Sequence, residues 1–118
     1  MTILQDTPEF VARPADAVAG LLPDRQSARA AVAALHAAGF AAVESRPWHP
    51  ERCRLRDWDG DAPLMHLYVA GLHQGRSLVL VPAARQQRRE IGRVLMRHRG
   101  RAVYYFSAVG VESLAVLV

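Results

Sequence analysis

Apolar and polar positions alternate along the chain with two different periods, and each change of period marks an element. Residues 17–22 form a run of small and branched apolar side chains halted by Pro23, the pattern of a strand buried on both faces. Asp24 stands where an N-cap is wanted. Behind it Ala28, Ala31, Val32 and Leu35 recur at i, i+3, i+4 and i+7, while Arg25, Arg29 and His36 fall on the other side, so a helix is predicted. Gly39 fits the left-handed position after that helix, and Phe40 can make the apolar contact that closes such a cap. Residues 41–46 read as a short second strand ended by Pro47 and Pro50, and a loop carrying Trp48 and Trp58 leads to Asp61, a cap for the next element.

Between residues 62 and 74 the apolar side chains form two adjoining stripes: Leu64, Leu67, Tyr68 and Gly71 on one, Met65, Val69 and Leu72 on the next. Only His66, Ala70 and His73 are left for a polar face, so this helix is expected to pack against more than a sheet alone, against the Trp-bearing loop or another subunit. Gly75 ends it. Residues 78–81 repeat the interior-strand pattern, and Pro82 opens a helix over residues 83–98. At about 100° per residue, Ala84, Ile91, Val94 and Leu95 share one side of that helix, and Arg89, Arg93 and Arg97 spread over the other. Gly100 stops it, and residues 103–106 make a last strand rich in aromatic side chains, followed by a mostly apolar tail to Val118.

The order is βαββαβ with an extra helix before the third strand. Two interior-type strands and two shorter ones suit a ferredoxin-like α+β fold, an antiparallel sheet of order 4-1-3-2 with the helices on one face. A chain of 118 residues, 51% apolar and 22% charged, is one packed domain's worth of sequence, assigned to residues 16–118 behind a partly ordered arm over residues 1–15. The arm carries Asp6 and Glu9 and is broken by Pro8, unlike the basic-then-apolar pattern of a secretory signal, and no apolar run is long enough to cross a bilayer. With a single cysteine, Cys53, no internal disulfide is possible, and a cytoplasmic protein without membrane contact is expected.

Several of these stretches resemble the small bacterial general stress proteins of the seventeen-M type. Asp24-Arg25-Gln26-Ser27-Ala28 leading to Ala37-Ala38-Gly39-Phe40 is similar to that family's strand-to-helix opening, and residues 68–81 to its helix-Arg-Gly-strand passage. His98-Arg99-Gly100, then Val103-Tyr104-Tyr105 and Val111-Glu112-Ser113-Leu114, resembles its helix end, double-aromatic strand and closing Val-Glu-Asp-Leu, with Ser113 in place of Asp. The resemblance spans residues 17–114. It implies a stress association and a ferredoxin-like domain, and brings no catalytic residues with it.

Charge changes this picture most. Residues 85–101 hold seven arginines and one acid, a local +6, whereas the rest of the chain sums to −2, so all of the net +4 is concentrated there. Arg85, Arg89, Arg93 and Arg97 form a face that could hold phosphates of a polyanion, although without an interleaved aromatic platform a solvated face is the favoured reading. Metal chemistry is poorly served. Asp57-Trp58-Asp59-Gly60-Asp61 fails the EF-hand pattern, with Ala62 and Tyr68 where Gly and Glu are needed, and reads first as a turn. His49, Cys53 and His66 lack zinc-type spacing; His66 and His73 share a helix face but stand about 10 Å apart. No cofactor is expected.

Tyr104 and Tyr105 must point to opposite faces of their strand, one to the core and one to a sheet surface. With helices on one face only, the other is expected to be a dimer surface or a ligand floor. Met65, Val69, Leu72, Tyr104, Leu114 and Leu117 are therefore the candidate interface, and a homodimer is expected. The leading expectation is a non-catalytic stress-response domain acting through self-association and protein or small-ligand contacts. A nucleic-acid-associated protein using the arginine face, and a small enzyme or ligand carrier with a sheet-face pocket, are the alternatives.

Overall fold

The computed structural model describes residues 15–44 and 62–114. The arm, the Asp61 cap, the loop bearing Trp48, His49, Cys53 and Trp58, the Asp57–Asp61 cluster and Leu117 lie outside the described residues. The fold is α+β, with five antiparallel strands and three α-helices among the described residues. In chain order these are β1 (Ala17–Leu22), α1 (Arg25–Ala37), β2 (Val43–Glu44), α2 (Ala62–His73), β3 (Ser77–Pro82), a 3₁₀ turn (Arg85–Gln87), α3 (Arg88–Arg97), β4 (Arg101–Phe106) and β5 (Val111–Ser113). The sheet order is β2-β3-β1-β4-β5.

Each predicted helix is present, and the local chemistry accounts for its bounds. The Asp24 carboxylate accepts from the Ser27 amide at 2.7 Å, which caps α1 and holds the Asp24 carboxyl below its ordinary pKa. Phe40 N–H donates to Leu35 at 2.9 Å with Gly39 at φ 93°, the left-handed helix end that the Gly-Phe pair predicts. The third helix begins later than the periodicity suggests. The Gln87 side chain accepts from the Ala84 amide at 3.0 Å, and residues 85–87 turn as 3₁₀ before the α-helix starts at Arg88.

Two cores lie on the two faces of the sheet. Val18, Leu22, Val79, Val81, Val103 and Tyr105 point to one face, where Ala28, Ala31 and Leu35 of α1 and Ile91, Val94 and Leu95 of α3 cover them. Ala17, Ala19, Leu21, Leu78, Leu80 and Phe106 point to the other, and there α2 packs with Met65 and Tyr68. The expectation of helices on one face is therefore corrected, because the added helix closes the second. Its fit is tight at Gly71, where a Cβ would stand 2.5 Å from Leu21 Cδ1. Leu67, assigned to an apolar stripe, instead faces out and is 46% exposed.

Tyr68 anchors this second layer. Between Ala19 and Leu21 of β1 the partner strand β4 carries one extra residue, a bulge with Ala102 at φ 51°. A bulge takes a carbonyl out of the ladder. The Tyr68 hydroxyl donates to Ala102 O at 2.9 Å, with Ala19 O at 3.4 Å, while its ring packs on Phe106 at a centroid distance of 6.3 Å. Burial, with Tyr104 nearby, pushes the Tyr68 phenol well above its ordinary pKa.

Two differences appear at the C-terminal end. β4 begins at Arg101, and β5 was not expected as a strand; it pairs Val111 with Phe106 and Ser113 with Tyr104 across a turn in which Ser107 N–H donates to Gly110 O. Leu114 then donates its N–H to Val103 O and buries its side chain completely over Gly92 of α3.

Replacing Tyr68 by Phe leaves the Ala102 carbonyl buried without that donor and should cost about 1–3 kcal/mol in urea unfolding. An unchanged midpoint would show the bond to be dispensable. Because the folded-state pKa is raised, the phenol's contribution is complete below about pH 10 and is lost as pH rises above it. The Phe variant should therefore lose less stability than wild type between pH 9 and 11, on the order of the raised pKa's linkage.

Helix α3 supplies a second test. Arg99, not glycine, takes the left-handed position there at φ 68°, and Gly100 follows because a Cβ would stand 2.7 Å from Leu95 O. Arg99→Gly should raise stability by up to about 1 kcal/mol, and Gly100→Ala should lower it. Calorimetry giving the opposite order would remove this account of the turn.

Candidate polyanion-binding face

Helix α3 is fixed by its apolar side. Ile91, Val94 and Leu95 are buried against the sheet, which turns Arg89, Arg93 and Arg97 outward in a row one helical turn apart. All three are exposed, and no carboxylate among the described residues is within ion-pair distance of them. Glu90 is the one acid on this helix, also exposed.

Arg85 differs from the other three predicted residues. It sits in the 3₁₀ turn with its Nη2 4.0 Å from Glu112 Oε1, and it shares that carboxylate with Arg88. Arg88 is half-buried; its Nε donates to Glu112 at 2.9 Å and its Nη1 to the Arg85 carbonyl at 2.9 Å. This pair fastens the start of α3 to β5, an internal use of charge worth on the order of 1 kcal/mol at a partly exposed site. Nothing near Arg88 in sequence signals it, because its partner lies in a strand the hydrophobic pattern does not reveal.

The basic surface continues past the helix. The N-terminal turn of α1 and the C-terminal turn of α3 border an open groove of about 410 Å³ lined by Asp24, Gln26, Ser27, Arg97, His98 and Arg99 among others. Arg99 is brought beside Arg97 by its left-handed backbone, a placement the helical spacing alone does not contain. His98 Nδ1 lies 2.9 Å from Val94 O and is occupied at the helix end. Basic side chains here also oppose the negative end of the α3 dipole.

The other candidates are dispersed. Met65 is 2% exposed and Leu114 is fully buried, both within the chain's own core, so neither side chain has surface to offer a second subunit. Val69, Leu72 and Tyr104 are half-buried around the α2 core, and Tyr105 takes the opposite, α1 and α3 face. The sheet face expected to hold a ligand floor is filled by Met65 and Tyr68. A smaller groove of about 270 Å³ lies by the β4–β5 turn, lined by Arg85, Tyr105, Ser107 and Glu112 among others. Its Tyr105 hydroxyl donates to Asp16 at 3.4 Å, and burial followed by the Asp16 charge pushes the phenol up. The two charged residues that line this groove, Arg85 and Glu112, are paired with each other, so it is no counterpart to the row on α3. His66 and His73 are both exposed on α2, and among the described residues no three His, Cys, Asp or Glu side chains converge as a metal site.

Among the described residues no helix is long and apolar enough to cross a membrane. In comparisons with known proteins, no family model, no curated protein and no solved structure matches this chain.

Proposed function

We propose that this is a non-catalytic binding domain whose working surface is the arginine face of α3, and that it engages a polyanion there. The observation that carries the reading is the row Arg89, Arg93 and Arg97, exposed and without a carboxylate partner among the described residues, on a helix whose opposite side is locked into the core. Unpaired guanidinium groups at one-turn spacing offer planar, fork-shaped donors suited to phosphate or sulfate oxygens. The weight shifts here from self-association because Met65 and Leu114 are consumed by the core.

The fold reading that accompanies this is an elaborated ferredoxin-like domain. Taken from the far edge inward, β4, β1, β3 and β2 follow the order 4-1-3-2, with β5 added outside β4 and α2 added on the second face, which supports it. The sequence resemblance is the support for a bacterial stress-response role, and the lone Cys53 together with the acidic, Pro-broken arm is the support for a cytoplasmic location. Self-association stays as a second reading on one observation, the 46% exposed Leu67 at the crest of an otherwise uncharged helix.

Wild-type protein should be retained on immobilised heparin at low salt, and Arg89, Arg93 and Arg97 replaced together by Gln should abolish retention while thermal stability changes by less than about 1 kcal/mol. Wild-type protein in the flow-through would sink the polyanion reading. Sedimentation at about 100 μM tests the second reading: a monomer excludes a dimer of useful affinity, and a dimer should dissociate on Leu67→Glu.

A further inference from the structure

We infer that the polyanion is the sugar–phosphate backbone of a double-stranded nucleic acid, contacted without reading of the bases; the inference rests on the polyanion reading of α3. Three observations carry it.

The first concerns stacking. Proteins that hold single strands combine basic grooves with exposed aromatic side chains on which bases stack. Every aromatic residue among those described is withdrawn: Tyr68, Tyr105 and Phe106 are buried, and Phe40 and Tyr104 are half-buried within the cores. The described basic surface thus presents charge without a described stacking platform, a surface that a duplex can use because its bases are already stacked.

The second concerns what could read a base edge. Base readout uses amides, hydroxyls or arginines directed into a groove from an element that protrudes. Here α3 lies in a layer beside α1, and its exposed residues are Arg89, Glu90, Arg93 and Arg97. Apart from the arginines α3 offers only Glu90, and a carboxylate beside phosphates opposes binding; Gln26 and Ser27 line the adjoining groove from the first turn of α1, beside the row and not on it. The arrangement positions a backbone; it does not discriminate sequence.

The third concerns geometry and sidedness. Arg89 to Arg97 spans about 12 Å of helix, and a duplex presents a charge about every 1.7 Å along its axis, so the whole row meets phosphates at once from a rigid partner. Arg99, beside Arg97 at the groove, extends the contact by one further cation. The opposite side of the molecule is covered by α2, whose sequence from Ala62 to His73 contains no Arg, Lys, Asp or Glu. Among the described residues a charged helix and an uncharged helix thus lie on opposite faces of the sheet, which suits a stiff ligand that touches a single face.

Fluorescence anisotropy of the full chain with a mixed-sequence 20-base-pair DNA duplex, a second duplex of different sequence, the corresponding single strand and polyglutamate tests this directly. Four phosphate contacts predict a log–log salt slope of about −3 to −4 for the duplexes, on the order of a hundred-fold weakening between 50 and 200 mM salt. Arg93→Gln should flatten the slope by about 0.9, and Glu90→Gln should tighten binding at unchanged sequence preference. The two duplexes should agree within a few-fold. A single strand bound as tightly as the duplex, or a more than ten-fold difference between the duplex sequences, overturns the inference while leaving polyanion binding intact. Binding of polyglutamate in preference to either duplex assigns the face to an acidic protein and overturns it as well. Retention on heparin without any nucleic-acid binding does the same, whereas failure on heparin too removes the polyanion reading on which the inference stands.

Discussion

The hydrogen bond from the Tyr68 hydroxyl to the Ala102 carbonyl is the constraint on which the two-layered build depends. The β4 bulge leaves a carbonyl facing a side of the sheet that would otherwise be wet or unsatisfied, and Tyr68 brings both a donor and an aromatic ring to it. Once α2 is seated by that bond, both faces of β1 and β3 are enclosed. Every residue of β1 is then buried, which is what a run of apolar side chains without alternation requires. The same seating fills the sheet face that could have been a ligand floor, and leaves the exposed arginines of α3 on the outside of the helical layer.

Much of this was legible because it is local. The Asp24 cap, the Gly39-Phe40 helix end and the stripe Ala28, Ala31 and Leu35 are each set by residues within a few positions of one another, and the structure has them as read. The second covered face was legible in principle: continuous apolar runs at β1 and β3 already demand cover on both sides, which conflicts with helices on one face. The two apolar stripes of α2 supply that cover: the pattern predicts packing on more than the sheet, on the Trp-bearing loop or another subunit, and Met65 and Tyr68 fill the chain's own second core. What was not legible is non-local. β5 is three half-buried residues made a strand only by pairing with β4, and the bulge at Ala102 depends on register across two strands.

The candidate site divides in the same way. A helical wheel suffices to place Arg89, Arg93 and Arg97 outward, because the apolar side of α3 dictates it. It cannot separate Arg85 and Arg88 from that set, since Glu112 arrives from a distant strand to engage them. Nor can it join Arg99 to the row, which needs the left-handed turn at the helix end. Sequence counting overstates the exposed positive charge near Glu112 and misses Arg99 at the groove, where it faces the Asp24 carboxylate.

This partition bears on why arginine stands at those positions at all. A solvated helix face needs only charge, and mixed signs at i, i+4 would stabilise it better than cations alone, since like charges one turn apart repel. Arg89, Arg93 and Arg97 are like charges at that spacing, with Glu90 as the single acid on the helix, so the row works slightly against the helix that carries it. Arg88 shows the alternative within the same turn: where charge serves the fold, it is half-buried, hydrogen-bonded twice and paired. Arginines that carry a small cost in the free protein and meet no internal partner among the described residues would be relieved by an external anion, and under the proposed polyanion binding the release of that repulsion would add to the binding energy.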